Sequence, residues 1–307
     1  MPYPIEKKLV IAVASSALFD LTESDSVFKA EGVQAYTRYQ ERNVDVPFQR
    51  GVAFPFVSRL LKLNEAFAAE EPVEVVLMSR NSPETGMRTF RSIKRYGLNI
   101  TRAAFSSGAP HFQYLPAFNA TLFLSANEED VRAALDNGFA AGRVLNTIVV
   151  DDDDSRELRI GFDFDGVLAS DEAERIYEET GDLERFHQHE EAHADEPLKI
   201  GPVGELLKRV SNLQQLERQK RQEDADYQPM IKTAIITARN APAHERVINT
   251  LKAWDVEVDE AFFLGGIQKA RFLNILKPHI FFDDQMVHLD HIDKIPAVHI
   301  PFGVKNG

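Results

Sequence analysis

Asp163 and Asp165 close an apolar run in "LRIGFDFDGVLA" with one residue between them. Carboxylates are costly at the end of a buried strand unless a cation offsets them. More reactive groups follow along the chain. Thr237 ends "TAIIT", Lys269 follows Gly265-Gly266, and Asp283-Asp284 closes "HIFFDD". In open α/β sheets the carboxyl ends of parallel strands border the ligand crevice, so these groups can converge there. Phosphoryl transfer needs such a set. One carboxylate attacks phosphorus and carries it covalently. A divalent ion such as magnesium, which favours oxygen ligands, offsets the repulsion between that carboxylate and the phosphate. A hydroxyl and a lysine take up charge on the equatorial oxygens. A second carboxyl protonates the leaving alkoxide and then activates water. On this reading the metal and Lys269 compensate Asp163 and Asp165. A lone D-x-D also occurs in metal-dependent glycosyltransferases and in plain turns; the ordered set of four is what carries weight.

The elements that must position these groups are short apolar strands at 8–14, 72–79, 121–125, 145–150, 158–164, 231–237, 279–283 and 297–300. Helical patterns lie between them, at 84–96, 128–140, 204–221 and 243–254. Continuous apolar strands alternating with amphipathic helices predict an α/β architecture with parallel sheets covered on both faces.

The pattern also repeats. Arg80, Asn81 and Pro83 match Arg239, Asn240 and Pro242, and Phe105 and Gly108 match Phe263 and Gly266. The expectation is a tandem duplication into lobes 1–150 and 151–307, the second with a cap insertion over about 170–230. In the first lobe Ala14 and Ser16 lie under Asp163 and Asp165, Met78 or Ser79 under Thr237, His111 under Lys269, and Ser125 and Ala126 under Asp283 and Asp284. That lobe keeps the pattern and lacks every carboxylate. Arg80 and His111 are its candidate contacts to a substrate or an effector.

The bulk composition narrows the classes. The 307 residues carry a net charge of −13, which disfavours a nucleic-acid backbone or an anionic membrane as partner. No apolar run has the length of a membrane span, and the N-terminal "KLVIAVA" is too short for a good signal peptide. The absence of cysteine excludes disulfides and fits an intracellular, cytoplasmic location. The run Asp151–Asp154 reads as a solvated linker, and His187, His189 and His193 as the polar face of a cap helix without a closed ligand set. Trp254 pairs with Tyr96 in the repeat and reads as packing.

The segments "FDFDGVLASDEAERI", "ITARN" and "PHIFFDDQMVH", with "AVASSALFDL" and "FNATLFLSANEEDV" upstream, resemble the cytosolic type I 5'-nucleotidases, within the haloacid dehalogenase-type phosphatases. The likeness covers nearly the whole chain. It implies two Rossmann-like lobes, the first catalytically degenerate, and Mg2+-dependent cleavage of nucleoside 5'-monophosphates such as AMP. Carried over by motif, Asp163 is the nucleophile and Asp165 the general acid/base. Thr237, Ala238 and Lys269 hold the phosphate. Asp163, Asp283, Asp284 and the carbonyl of Asp165 hold the metal. The resemblance also leaves room for a nucleotide effector such as ADP and for a homo-oligomer. Two other readings stand beside it: a phosphatase for another small phosphomonoester, and a nucleotide-sensing protein with vestigial hydrolysis.

Overall fold

Runs of Val, Ile, Leu and Phe that are buried on both faces become the strands of parallel sheets, because no solvent face is left for alternation. The computed structural model describes residues 3–147, 151–152 and 155–306. The chain divides into two compact units, Met1–Phe139 and Ala140–Gly307. Both are α/β, and ten of the strands belong to parallel-dominated pairing, four in the first unit and six in the second.

In the first unit the strands are β1 (Leu9–Ala14), β2 (Phe19–Asp20), β3 (Gln49–Arg50), β4 (Val73–Ser79), β5 (Arg102–Phe105) and β6 (Leu122–Ser125). Its helices are α1 (Ser15–Leu18), α2 (Thr22–Arg42), α3 (Phe54–Ala66), α4 (Met87–Arg95) and α5 (Glu128–Asp136). The strand order is β6-β1-β4-β5, every pairing parallel. β2 and β3 form a small antiparallel pair.

In the second unit the strands are β7 (Ala141–Val144), β8 (Leu158–Phe162), β9 (Ile231–Thr237), β10 (Glu260–Phe263), β11 (Ile280–Asp283) and β12 (Ala297–His299). The helices are α6 (Glu172–Thr180), α7 (Leu183–Ala192), α8 (Gly204–Glu223), α9 (His244–Ala253), α10 (Lys269–Leu276) and α11 (Met286–Leu289). The order is β10-β9-β8-β11-β12-β7, parallel except where β12 meets β7. The sub-order β11-β8-β9-β10 follows the same path through the chain as β6-β1-β4-β5.

The strands expected at 8–14, 72–79, 121–125, 158–164, 231–237, 279–283 and 297–300 all form, trimmed by one or two residues at some ends. The segment expected at 145–150 is not a strand through 147, and its last three residues lie outside the described residues. Asp153 and Asp154 of the acidic run also lie outside them. Asp152 is not merely solvated: it takes hydrogen bonds from His279 Nε2 at 3.0 Å and Arg159 at 3.3 Å.

The segment between β8 and β9 holds two different things. An isolated bridge joins Ala169 to Ile200, and Ser170 N–H donates to Lys199 C=O at 2.9 Å. The chain therefore leaves and returns at one point, and only α6 and α7 lie in the excursion. α8 is a crossover helix: Leu206, Leu207, Val210 and Leu213 are buried along one stripe.

Candidate active site

β8 sits between β9 and β11, with Phe162 in register with Ile235 on one side and Phe282 on the other. The rings of Phe162 and Phe282 stack at 5.4 Å. This packing fixes where β8 ends. Asp163 follows it directly, its N–H donating to Phe282 C=O at 2.8 Å and its Oδ1 accepting from Phe164 N–H at 2.7 Å. Phe164 turns inward and stacks on Trp254, so packing is indeed the role of that indole. Gly166 then adopts φ +69°, and a Cβ there would meet Asp284 Oδ2 at 2.7 Å. Only glycine lets the turn and the Asp284 carboxylate come this close.

Parallel pairing brings Asp283, the last residue of β11, alongside. Lys269, the first residue of α10, reaches both strand ends: its Nζ is 2.6 Å from Asp163 Oδ2 and 2.7 Å from Asp283 Oδ2. Burial works against the lysine's charge, yet these two carboxylates hold its pKa above the ordinary range. Burial raises Asp283 as well, but Lys269 and His288 bring it below its usual value. Asp163 ends up raised to about 6, chiefly by burial and then by Asp283 and Asp165, against the pull of Lys269.

Asp165 is held differently. Arg239 donates to both its oxygens at 2.7 Å, a bidentate pair. The same guanidinium pairs with Glu190 on α7, and Glu190 also takes Arg246 at 2.8 Å. Arg246 in turn reaches Glu172 on α6 at 2.9 Å. A buried ionic relay therefore runs from Asp165 into the α6–α7 excursion. Thr237, at the end of β9, accepts the Arg239 N–H on its hydroxyl at 3.2 Å.

Asp284 has no such company. It is fully buried, and neither of its oxygens has a hydrogen-bond partner among the described residues. Burial, then Asp163, Glu174 and Asp283, push its pKa up to about 10. Glu174 on α6 is pushed up to about 8 by burial and by Asp165 and Asp163. A buried carboxylate with no donor calls for an explanation. A hard divalent cation with oxygen ligands supplies one, and the donors present fit it: Asp284, Asp163 and the carbonyl of Asp165. Asp163, Asp283 and His288 also offer ligand atoms within 4.8 Å of one another. Asp283 is the weaker candidate of the two aspartates, because Lys269 occupies one oxygen and Gln285 N–H and His288 the other.

Asp163, Asp165, Glu174 and His288 are among the residues that line a cavity of about 330 Å³. Asp163, Asp165, Thr237 and Ala238 border it on the sheet side, while Tyr177, Leu183, Phe186 and His187 reach it from the excursion. His187 bonds Asn240 at 3.0 Å, His189 faces Glu190, and His193 Nδ1 donates to the His189 C=O at 2.8 Å. Of the three histidines, His187 belongs to the cavity wall. Arg239, Glu190, Glu174 and His288 are site residues that the motifs alone did not single out.

Family comparison agrees with this geometry: the 5'-nucleotidase family model matches residues 1–307. The chain belongs to the 5'-nucleotidase family. It is 33% identical over 305 residues to human "Cytosolic 5'-nucleotidase 1B", covering 97% of this chain and 49% of that protein. The chain thus spans about half the length of the curated relative it matches. No solved structure gives a significant match. No helix among the described residues of this family member is long and apolar enough to cross a membrane.

In the first unit the corresponding strand ends carry hydroxyls. Ser79 ends β4 and accepts the Asn81 N–H at 3.2 Å, as Thr237 does for Arg239. Ser125 ends β6 and accepts the Asn127 N–H at 3.1 Å, as Asp283 does for Gln285. Arg80 is paired with buried Asp130 at 3.0 Å. His111 is buried edge-on to Phe123, and neither ring nitrogen has a hydrogen-bond partner among the described residues.

Proposed function

We propose that this chain hydrolyses nucleoside 5'-monophosphates, AMP among them, to nucleoside and phosphate, with Mg2+ and through an aspartyl-phosphate on Asp163. The observation that carries the reading is the cavity itself. A carboxylate pair at the end of β8 borders one side, with a buried lysine on one of its members and the unpartnered Asp284 carboxylate behind it, and an aromatic wall borders the other.

Asp163 attacks phosphorus, and the bond from phosphorus to the 5' oxygen breaks. Asp165 gives a proton to the departing oxygen, then takes one from the water that hydrolyses the acyl phosphate. Each Asp165 oxygen accepts one donor from Arg239, which orients the carboxyl and leaves each oxygen a second lone pair for the proton. The Thr237 hydroxyl, the Ala238 N–H and Lys269 receive the phosphate oxygens. Asp163, Asp284 and the Asp165 carbonyl would hold magnesium, which would supply positive charge that lowers the barrier to bringing two anions together.

The aromatic wall of Tyr177 and Phe186 favours a leaving group with a flat apolar body over a small polar phosphomonoester. The test is turnover of AMP, IMP, dCMP and an aryl phosphate with and without magnesium. The expected result is magnesium-dependent phosphate release, fastest with nucleotides. Preference for the aryl phosphate would favour a different phosphatase, and binding without turnover would favour a nucleotide sensor.

We further read the two units as a tandem duplication in which the first has lost its carboxylates. The matching strand paths and the paired hydroxyl and carboxylate positions support that reading. A cytoplasmic location is consistent with the absence of cysteine and with the name of the human relative. An effector role for the first unit now leans on His111, since Arg80 is taken by Asp130. If it holds a nucleotide such as ADP, His111→Ala alters the response to added ADP. If Arg80→Ala and His111→Ala both keep wild-type KM, kcat and ADP response, the first unit is scaffold.

A further inference from the structure

Charge pairing sorts the carboxylates at and behind the second unit's cavity into paired and unpaired ones. Asp163 and Asp283 share Lys269, at 2.6 and 2.7 Å. Asp165 and Glu190 share Arg239. Asp284 and Glu174 have no ion pair among the described residues. Asp284 is fully buried with both oxygens unpartnered. Glu174, on α6, lines the cavity; its Oε1 accepts from Gln285 Nε2 at 2.8 Å, and its Oε2 is buried without a hydrogen-bond partner among the described residues. Gln285 directly follows Asp284, so the contact brings Glu174 to the strand end that carries the orphaned carboxylate. Lys305 lies in the same wall but is paired with Glu178.

Two uncompensated carboxylates carry the charge of one divalent cation. We propose that Glu174 is a ligand of the site's cation together with Asp284, so that the ion ties helix α6 to the end of β11. The inference rests on the metal-dependent reading above and adds to it a ligand from outside the D-x-D and D-D motifs. It has a mechanical consequence. Without the ion, the link between Glu174 and this strand end is the hydrogen bond from Gln285 Nε2. With it, Glu174 and Asp284 are joined through the cation as well.

The experiment is calorimetric titration of the full chain with magnesium chloride, without nucleotide, for wild type, Glu174→Gln, Asp284→Asn and Glu178→Gln. Outer carboxylates around metal sites typically change affinity by about ten- to a hundred-fold. Glu174→Gln is expected to weaken magnesium binding at least about ten-fold on that scale, and Asp284→Asn by more. Glu178→Gln removes a charge from the same helix and should stay close to wild type. The metal-free melting temperature of Glu174→Gln should equal or exceed that of wild type, because Gln keeps the oxygen that accepts from Gln285 Nε2 and removes a buried acid; this guards against misfolding. Wild-type magnesium affinity in a folded Glu174→Gln overturns the inference, and a raised KM in that variant would instead assign Glu174 to the substrate. If wild type hydrolyses AMP with magnesium while Glu174→Gln binds the ion normally, only this inference falls. If wild type binds no magnesium, the metal-dependent reading falls with it.

Discussion

Asp163→Asn is expected to reduce phosphate release by roughly three orders of magnitude or more, the scale reached when a covalent nucleophile is removed. The amide cannot attack phosphorus, so no aspartyl-phosphate forms. The fold should survive the change. Asn keeps the shape of the side chain and the carbonyl oxygen that accepts the Phe164 N–H at 2.7 Å. Lys269 keeps Asp283 at 2.7 Å, so the lysine is not left as an unpaired buried charge. The variant also removes one of several carboxylates crowded at the strand ends, which works in favour of stability. Two measurements decide the matter. Acid-quenched wild type turning over labelled AMP should carry covalent phosphate, and Asp163→Asn should carry none. Residual turnover above about one per cent of wild type in a folded variant would remove Asp163 from the role, given the size of such losses elsewhere.

The groups at the strand ends were legible in the sequence because a parallel strand announces itself. "LRIGF", "IKTAIIT" and "IFFD" are mostly apolar, with Arg159, Lys232 and Thr233 near their starts, and the polar residue at or just after the end of each run falls at the carboxyl edge by construction. β5 and β10 were missed for the converse reason. "RAAF" and "EAFF" are edge strands whose residues are half-buried or exposed, so their composition carries little of the β signal. The ionic relay was also out of reach. Glu190 is fully buried but lies in "HQHEEAH", which looks like any solvated helix face, and its partner Arg239 is 49 residues away. Arg239 itself stood out only as part of a repeated R-N-x-P; the carboxylate that each arginine takes, Asp165 for Arg239 and Asp130 for Arg80, differs between the units. Where the excursion folds over the sheet decides all of these contacts, and no local pattern encodes that placement. The same holds for His187, whose neighbours in the helix made it look like surface.

Removal of the metal should abolish turnover and also change how stability depends on pH. Three carboxyls titrate above their ordinary values in the metal-free fold: Asp163 at about 6 and Asp284 at about 10, against 3.8, and Glu174 at about 8, against 4.5. Burial is the first cause in each case, and neighbouring carboxylates add to it. The folded state therefore binds more protons than the unfolded chain once pH exceeds the ordinary values. Stability falls with rising pH wherever that is so. This cluster's contribution is thus fully present below about pH 4 and is lost as pH climbs through the raised values of the fold. Magnesium replaces the protons as the compensating charge, so its stabilising effect should grow over the same range. In chelator, the melting temperature of wild type is expected to fall between about pH 6 and about pH 9, and magnesium should restore it most at the upper end. Asp284→Asn deletes the largest shift. Its metal-free form should melt above wild type by a margin that widens with pH, while magnesium should no longer raise its melting temperature or support turnover. A margin that stays constant with pH would show that Asp284 does not carry the linkage, and a full magnesium response in Asp284→Asn would remove it from the ligand set.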